Sequence, residues 1–286
     1  MLNMLFFPTI YPVINELNTV IIIIVMTLFW RYMHQIILRR FFVANSGKPN
    51  GRFAYLSEIS ICLVILFSIF ILDYIVIGEK NLEKNFLISA SDLRYFSNML
   101  FLYPIGSICF GPIIAYFAGI QDLTKVGSGN SGATNVARVG GLKLGGLVLL
   151  LDGLKGAILT SIIMVFGYQS IIAAITLPAI WHAYPLFQNI RGGKSVAVAI
   201  GTIAIISPIC LLFGAILWLG IFYFTKIVSL ASLVAIWGIF LVNAIFSEIN
   251  LATTIGFFLL AAIISLRHQE NIIRIIRGNE KKFTPK

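Results

Sequence analysis

Charge is what this sequence has least of. Aspartate and glutamate together number 11, against 21 lysines and arginines, so only 11% of residues are charged. A soluble domain carries roughly a quarter. With 59% apolar residues and a mean hydropathy of +0.96, that deficit excludes an ordinary soluble domain and leaves an integral membrane protein. Cysteine is scarce as well. Cys62, Cys109 and Cys210 all sit inside apolar runs, without pairing or metal-ligand spacing, which excludes a disulfide framework. A GxxxxGK[ST] loop is missing, so a Walker-type nucleotide site is excluded too. The net charge of +10 would suit nucleic acid, but the basic residues fall in short clusters between apolar runs rather than along one solvated face, so no nucleic-acid partner is expected.

What the sequence has in abundance is apolar runs long enough to cross a bilayer, which takes about 20 helical residues. They cover residues 12–30, 59–77, 98–118, 144–166, 170–187, 195–224, 229–246 and 251–266. The sixth run is too long for one upright span and short for two, but Ser207-Pro208 near its middle offers a break. Loop charge decides how to count it, because lysine and arginine in short loops stay cytoplasmic. The connection RYMHQIILRRFFVANSGKPNGR is basic without one acid, and the tail RHQENIIRIIRGNEKKFTPK is basic as well. Between residues 78 and 95, Glu79, Glu83 and Asp92 balance Lys80, Lys84 and Arg94, which marks an outer loop. The expectation is an all-α integral membrane protein of about nine transmembrane helices, with the N-terminus outside and the C-terminus cytoplasmic. The first helix has no basic n-region or small-residue cleavage site and reads as an anchor.

That topology places three polar clusters on the cytoplasmic side. VGSGNSGATNVARVGG is the richest. Its glycines, Gly127, Gly129 and Gly132, permit positive φ and close backbone approach, and Ser128, Asn130, Thr134 and Asn135 add short polar groups. ATNVAR can start a helix whose N-terminus attracts an anion, phosphate foremost. A plain helix-helix turn is the other reading of the same loop. NIRGGKS joins Gly192 and Gly193 to Arg191 and Lys194, two cations suited to a phosphate dianion or to anchoring at the membrane face. In LRHQENI, His268 and Asn271 lie at i and i+3, on one helix face. A fourth cluster, LLLDGLKG, puts Asp152 and Lys155 inside a span, where they form either a mutual ion pair or a substrate contact.

Taken together, these residues resemble the bacterial acyl-phosphate:glycerol-3-phosphate acyltransferases. GSICFG, KVGSGNSGATNVAR, LLLDGLKG, HAYPLF, RGGKSVA, VSLAS and RHQENI follow in that family's order, from about Leu100 to Phe283. The resemblance implies a seven-helix bundle with a cytoplasmic C-terminus, so the chain divides into an extension of two helices, residues 1–97, and an acyltransferase-like domain, residues 98–286. It implies transfer of a fatty acyl group from acyl phosphate to the 1-hydroxyl of glycerol 3-phosphate, giving lysophosphatidic acid and phosphate in the inner membrane of a bacterium.

The matching positions imply a catalytic set of Ser128, Arg138, Lys194, His268 and Asn271. Phosphate would be held by Gly127, Gly129, Asn130, Gly132, Thr134, Asn135, Arg191, Gly192 and Gly193. Arg138 and Lys194 would meet phosphate charge, while His268 and Asn271 would orient the glycerol. Neither a metal nor a cofactor is implied. The partners are the two substrates, membrane lipids and an acyl-phosphate-producing enzyme. Several positions depart from the family pattern: Cys109 stands for proline, Trp181 and Asn189 for glycine, Val198 for threonine, and Ser195 for the last glycine of KGGKG. A side chain at Ser195 is expected to crowd the backbone approach to phosphate, which admits a catalytically impaired member.

Two readings of other kinds remain. A transporter of a phosphorylated or anionic solute would also use broken helices and glycine-rich termini, but these clusters gather at one membrane face. An acyl-CoA-dependent acyltransferase would carry HxxxxD, and the residues five after His34, His182 and His268 are Arg39, Phe187 and Ile273.

Overall fold

The computed structural model describes residues 102–120, 123, 125–166, 170–186, 192–246 and 251–284. The two runs of the extension, Asn189 and Arg191 lie outside the described residues. Every regular element described is helical. After a helical turn at 102–106 come α1 (Phe110–Phe117), α2 (Ala133–Gly140), α3 (Leu142–Phe166), α4 (Ile171–Ala183) and α5 (Val196–Ile206). They are followed by α6 (Pro208–Thr225), α7 (Val228–Phe246), α8 (Leu251–Arg267) and α9 (Gln269–Ile276).

Three of these helices, α3, α6 and α7, are long and apolar enough to cross a membrane, and α8 with α9 makes a fourth if that pair is one span bent by 69°. α4 and α5 are shorter apolar helices. The long sixth run breaks where Ser207-Pro208 suggests. Pro208 opens α6 and the Ser207 hydroxyl accepts from the Cys210 amide at 3.4 Å, because proline at N1 has no amide to lose. The run at 98–118, expected as one span, is interrupted at residues 107–109 in its described part.

Small residues set the central packing. A Cβ at Gly201 of α5 would run into the Gly153 carbonyl of α3, and one at Gly156 would run into the Val198 carbonyl. The two backbones therefore approach as in small-residue membrane interfaces. Thr160 donates to Thr202 at 3.0 Å across the same seam. α4 fills the middle, buried along its whole length against α3, α5 and α8. α6 contributes little to the core. It packs on α7 and shows Ile209, Leu212, Ile216, Leu219 and Phe224 outward, an apolar exposed face suited to hydrocarbon.

Candidate active site

The site begins with a brace buried beneath it. Lys155 on α3 lies 3.7 Å from Asp152, one turn back, and both are buried. Its ammonium also donates to the Gly106 carbonyl at 2.9 Å, to the Ile108 carbonyl, and to His182 Nδ1 at 2.9 Å. An ammonium only donates, so Nδ1 of His182 is the acceptor and its ring proton sits on Nε2. The Phe110 amide closes the group on Asp152 at 3.4 Å. Lys155 thus satisfies carbonyls released where the helix breaks before α1, which a low-dielectric interior demands. Of the two readings of Asp152 and Lys155, the contacts are those of the ion pair.

His182 carries the next layer. Its carbonyl accepts from the Gly193 amide at 3.2 Å, and a Cβ at Gly193 would fall inside its ring, as one at Gly192 would strike the Ala183 carbonyl. The Gly192 and Gly193 carbonyls accept from Arg267 at 3.0 and 3.3 Å. Both glycines, expected as phosphate ligands, therefore spend these backbone groups on the scaffold. Their lack of side chains lets the loop lie flat on the end of α4. Ser195 follows at φ 63°, in the left-handed region that glycine prefers. It does not crowd the site. Its buried hydroxyl points away and donates to the Ala179 carbonyl at 2.7 Å. Ser195→Gly should relieve backbone strain on the order of 1 kcal/mol and lose one hydrogen bond of about 1 kcal/mol. Its melting temperature in detergent should stay within a few degrees of the parent and its turnover within about twofold.

From this loop Lys194 reaches across to α9, where its ammonium donates to Asn271 Oδ1 at 2.5 Å. The Asn271 amide donates in turn to Glu280 Oε1 at 2.5 Å. Ser229 at the start of α7 donates to the same oxygen at 2.7 Å, and Arg274 donates to Oε2 at 2.7 Å. Burial alone would raise the Glu280 pKa, but these three donors hold it below the ordinary carboxylate value. Burial pulls Lys194 down to about 8, against the opposing pull of Glu280. His268, at the bend between α8 and α9, is buried and held down to about 4, first by desolvation and then by Lys194. Its Nδ1 lies 2.8 Å from the Ile264 carbonyl. A carbonyl only accepts, so Nδ1 bears the proton and Nε2 keeps a free lone pair.

Arg138 comes in from the last turn of α2. It donates to the Lys281 carbonyl at 3.4 Å and stands over the Phe283 ring at 5.9 Å. Desolvation lowers its pKa, and Glu280 counteracts that. Elements far apart in sequence thus converge on Lys194, Asn271, His268 and Arg138.

Similarity to known proteins decides what this arrangement belongs to. The family model for glycerol-3-phosphate acyltransferase matches residues 96–278. The chain belongs to the glycerol-3-phosphate acyltransferase family. It is 42% identical over 188 residues to the glycerol-3-phosphate acyltransferase of Aquifex aeolicus, covering 65% of this chain and 97% of that one. It is 37% identical over 188 residues to the enzyme of Rhizobium meliloti, covering 66% and 92%. Its fold resembles the crystal structure of PlsY (YgiH), an integral membrane glycerol 3-phosphate acyltransferase, in the glycerol 3-phosphate form. There the TM-score is 0.61 at 39% identity, over 67% of this chain and 96% of that one.

Within this family member the glycine-rich loop is organised differently from the expectation. Gly127 and Gly129 do take positive φ, 63° and 69°, and ATNVARVG is helical, with Gly132 as its N-cap. Asn135, however, is turned inward and buried. Its amide donates to the carbonyls of Leu123, Val126 and Asn130 at 3.2, 3.1 and 2.9 Å, and its oxygen accepts from the Ser128 amide at 2.7 Å. The Asn135 side chain, expected at phosphate, braces the loop through these contacts. The Gly129 amide is taken by the Val126 carbonyl and the Gly132 amide by the Asn130 side chain. Ser128 is exposed at the loop tip, and Thr134 is half-buried in the first turn of α2.

Three further residues, Arg274, Ser229 and Glu280, bond into this group. Arg274 stands three residues after Asn271, so helical spacing alone could have found it. Ser229 lies in the quoted VSLAS. Glu280, in the apparently solvated tail, carried no local signal.

Proposed function

We propose that this chain transfers a fatty acyl group from acyl phosphate to the 1-hydroxyl of glycerol 3-phosphate, giving lysophosphatidic acid and inorganic phosphate. The observation that carries the reading is the convergence of Lys194, Asn271, His268 and Arg138 at one end of the helices, in a chain of this family. An acyl phosphate is already activated, so the protein has to hold two anions together and stabilise developing charge. Lys194 and Arg138 supply the positive charge for phosphate. The Ser128 hydroxyl and the first amides of α2, which have no partner within the helix, add donors. His268 offers Nε2 to the glycerol hydroxyl. With a pKa of about 4 it is a weak base, so its part is to orient the nucleophile. The hydroxyl oxygen bonds to the acyl carbon, the bond from that carbon to the phosphate oxygen breaks, and a phosphate oxygen takes the hydroxyl proton. The acyl chain lies among the apolar helices and enters from the bilayer.

The reading extends to the membrane. About nine crossings, an outer N-terminus, and a cytoplasmic C-terminus and active site fit the distribution of lysine and arginine. The catalytic unit is residues 98–286, supported by a family match that begins at residue 96. Residues 1–97 form an accessory extension whose basic connection suits anionic lipid or an acyl-phosphate-producing enzyme. Purified protein supplied with glycerol 3-phosphate should form lysophosphatidic acid from palmitoyl phosphate and none from palmitoyl-CoA. Product from the thioester alone, or from neither donor, would sink the reading.

A further inference from the structure

We infer that Glu280 is a positioning residue for the glycerol 3-phosphate site, acting through a C-terminal strap that sets the orientation of Lys194 and Arg138. The inference rests on the reading of the site given above. An asparagine amide can face either way, and Asn271 presents its oxygen to Lys194 only because something accepts from its nitrogen. That acceptor is Glu280, at 2.5 Å. The carboxylate is 6% exposed, too buried to stand there as a solvated tail charge, and it joins the start of α7 to α9 through Ser229 and Arg274.

The residues that follow complete the strap. The Lys281 carbonyl accepts from Arg138. The Phe283 amide donates to the Lys226 carbonyl at 2.8 Å, and its ring packs edge-on to Phe222 at 6.1 Å while lying under Arg138. Both cations assigned to substrate phosphate are thus held, one through Asn271 and one directly, by residues 280–283. A carboxylate that competed with substrate would bond the cation itself. Here Lys194 bonds Asn271, and Glu280 stands behind it, so the arrangement favours positioning over occlusion.

The charged groups acting on Lys194 are Glu280 and Glu270, which favour its ammonium, and Arg274 and Arg138, which oppose it. Loss of the Glu280 charge therefore has a signature that a purely structural contact lacks. The test is steady-state kinetics of the purified full-length protein with palmitoyl phosphate and varied glycerol 3-phosphate. Glu280→Gln should raise KM for glycerol 3-phosphate about tenfold or more with a smaller change in kcat. It should also move the alkaline limb of kcat/KM to lower pH, and Glu280→Asp should recover part of both. Glu270→Gln is the comparison. Glu270 also favours the Lys194 ammonium but is 83% exposed and 3.8 Å from Arg274, so water screens its charge. Its effect on KM and on the limb should stay within about twofold, well below that of Glu280→Gln. If Glu280→Gln does not fold, Ser229→Ala, which removes one donor to the same oxygen, should give a smaller change in KM in the same direction. An active parent protein with unchanged KM and pH profile in the folded Gln variant, or in Ser229→Ala where Gln fails, overturns the inference. A lowered KM also overturns it, by making Glu280 a competitor of substrate. An inactive parent protein would instead count against the proposed function itself.

Discussion

Replacing Lys194 with methionine should lower kcat/KM for glycerol 3-phosphate by at least about a hundredfold while leaving the protein folded. Loss of one preorganised donor to developing negative charge costs about 3–4 kcal/mol of transition-state stabilisation, and a charge-assisted contact belongs at the strong end of hydrogen bonds. Methionine keeps most of the apolar stem, so the change is confined to the ammonium and its bond to Asn271. Thermal unfolding in detergent should shift by only a few degrees. The same charge predicts the pH profile. Lys194 titrates at about 8, so the positive charge is present below that pH and is lost as pH rises through it. In the parent enzyme kcat/KM, which reports the free protein, should therefore fall on an alkaline limb centred near pH 8. That limb should vanish in the methionine variant. Arg138→Ala should show a loss of similar size without removing the limb. A Lys194 variant within tenfold of the parent would remove Lys194 from the phosphate site.

Lys155→Met should do the opposite, sparing the chemistry and damaging the fold. It strands the buried Asp152 carboxylate and leaves the Gly106 and Ile108 carbonyls and His182 Nδ1 without their donor. Breaking a buried pair from one side costs about 3–5 kcal/mol, a large part of the total for any marginally stable protein. The expected result is a sharp drop in melting temperature and yield. Whatever protein remains folded should keep a near-parental KM for glycerol 3-phosphate. Asp152→Asn combined with Lys155→Met should be more stable than Lys155→Met alone, since no uncompensated charge stays behind. If Lys155→Met melts like the parent but has lost its activity, the pair contacts substrate and the brace is not its main role.

Much of the fold was legible because it follows from local rules. The apolar run at 144–166 is α3, at 142–166, and the Ser207-Pro208 break falls where a proline opens α6. Positive φ at Gly127 and Gly129 and the helix of ATNVARVG were likewise readable within one short window. The convergence of Lys194, His268 and Asn271 was legible only through the order of motifs along the chain, not through any property of one motif. The carbonyls of Gly192 and Gly193 and the side-chain amide of Asn135 have partners inside the fold that no local pattern signals. A buried amide and a side-chain-free backbone look the same in sequence whether they face a ligand or a neighbouring turn.

The sequence by itself determined the solvent, the helical class, the main breaks and the family. Each of these depends on hydrophobicity summed over about twenty residues, on the backbone limits of proline and glycine, or on motif order. Only the tertiary structure decided that Lys155 ties the break before α1 to His182, that Ser195 turns away from the site, and that Glu280 stands behind Asn271. The contacts of Lys155 and Ser195 link groups on different elements, and that of Glu280 returns the tail past the end of α9. Whether a buried polar side chain meets a carbonyl, a carboxylate or open space depends on how the helices pack, because burial charges the desolvation cost to every such group and the fold supplies the partner that offsets it.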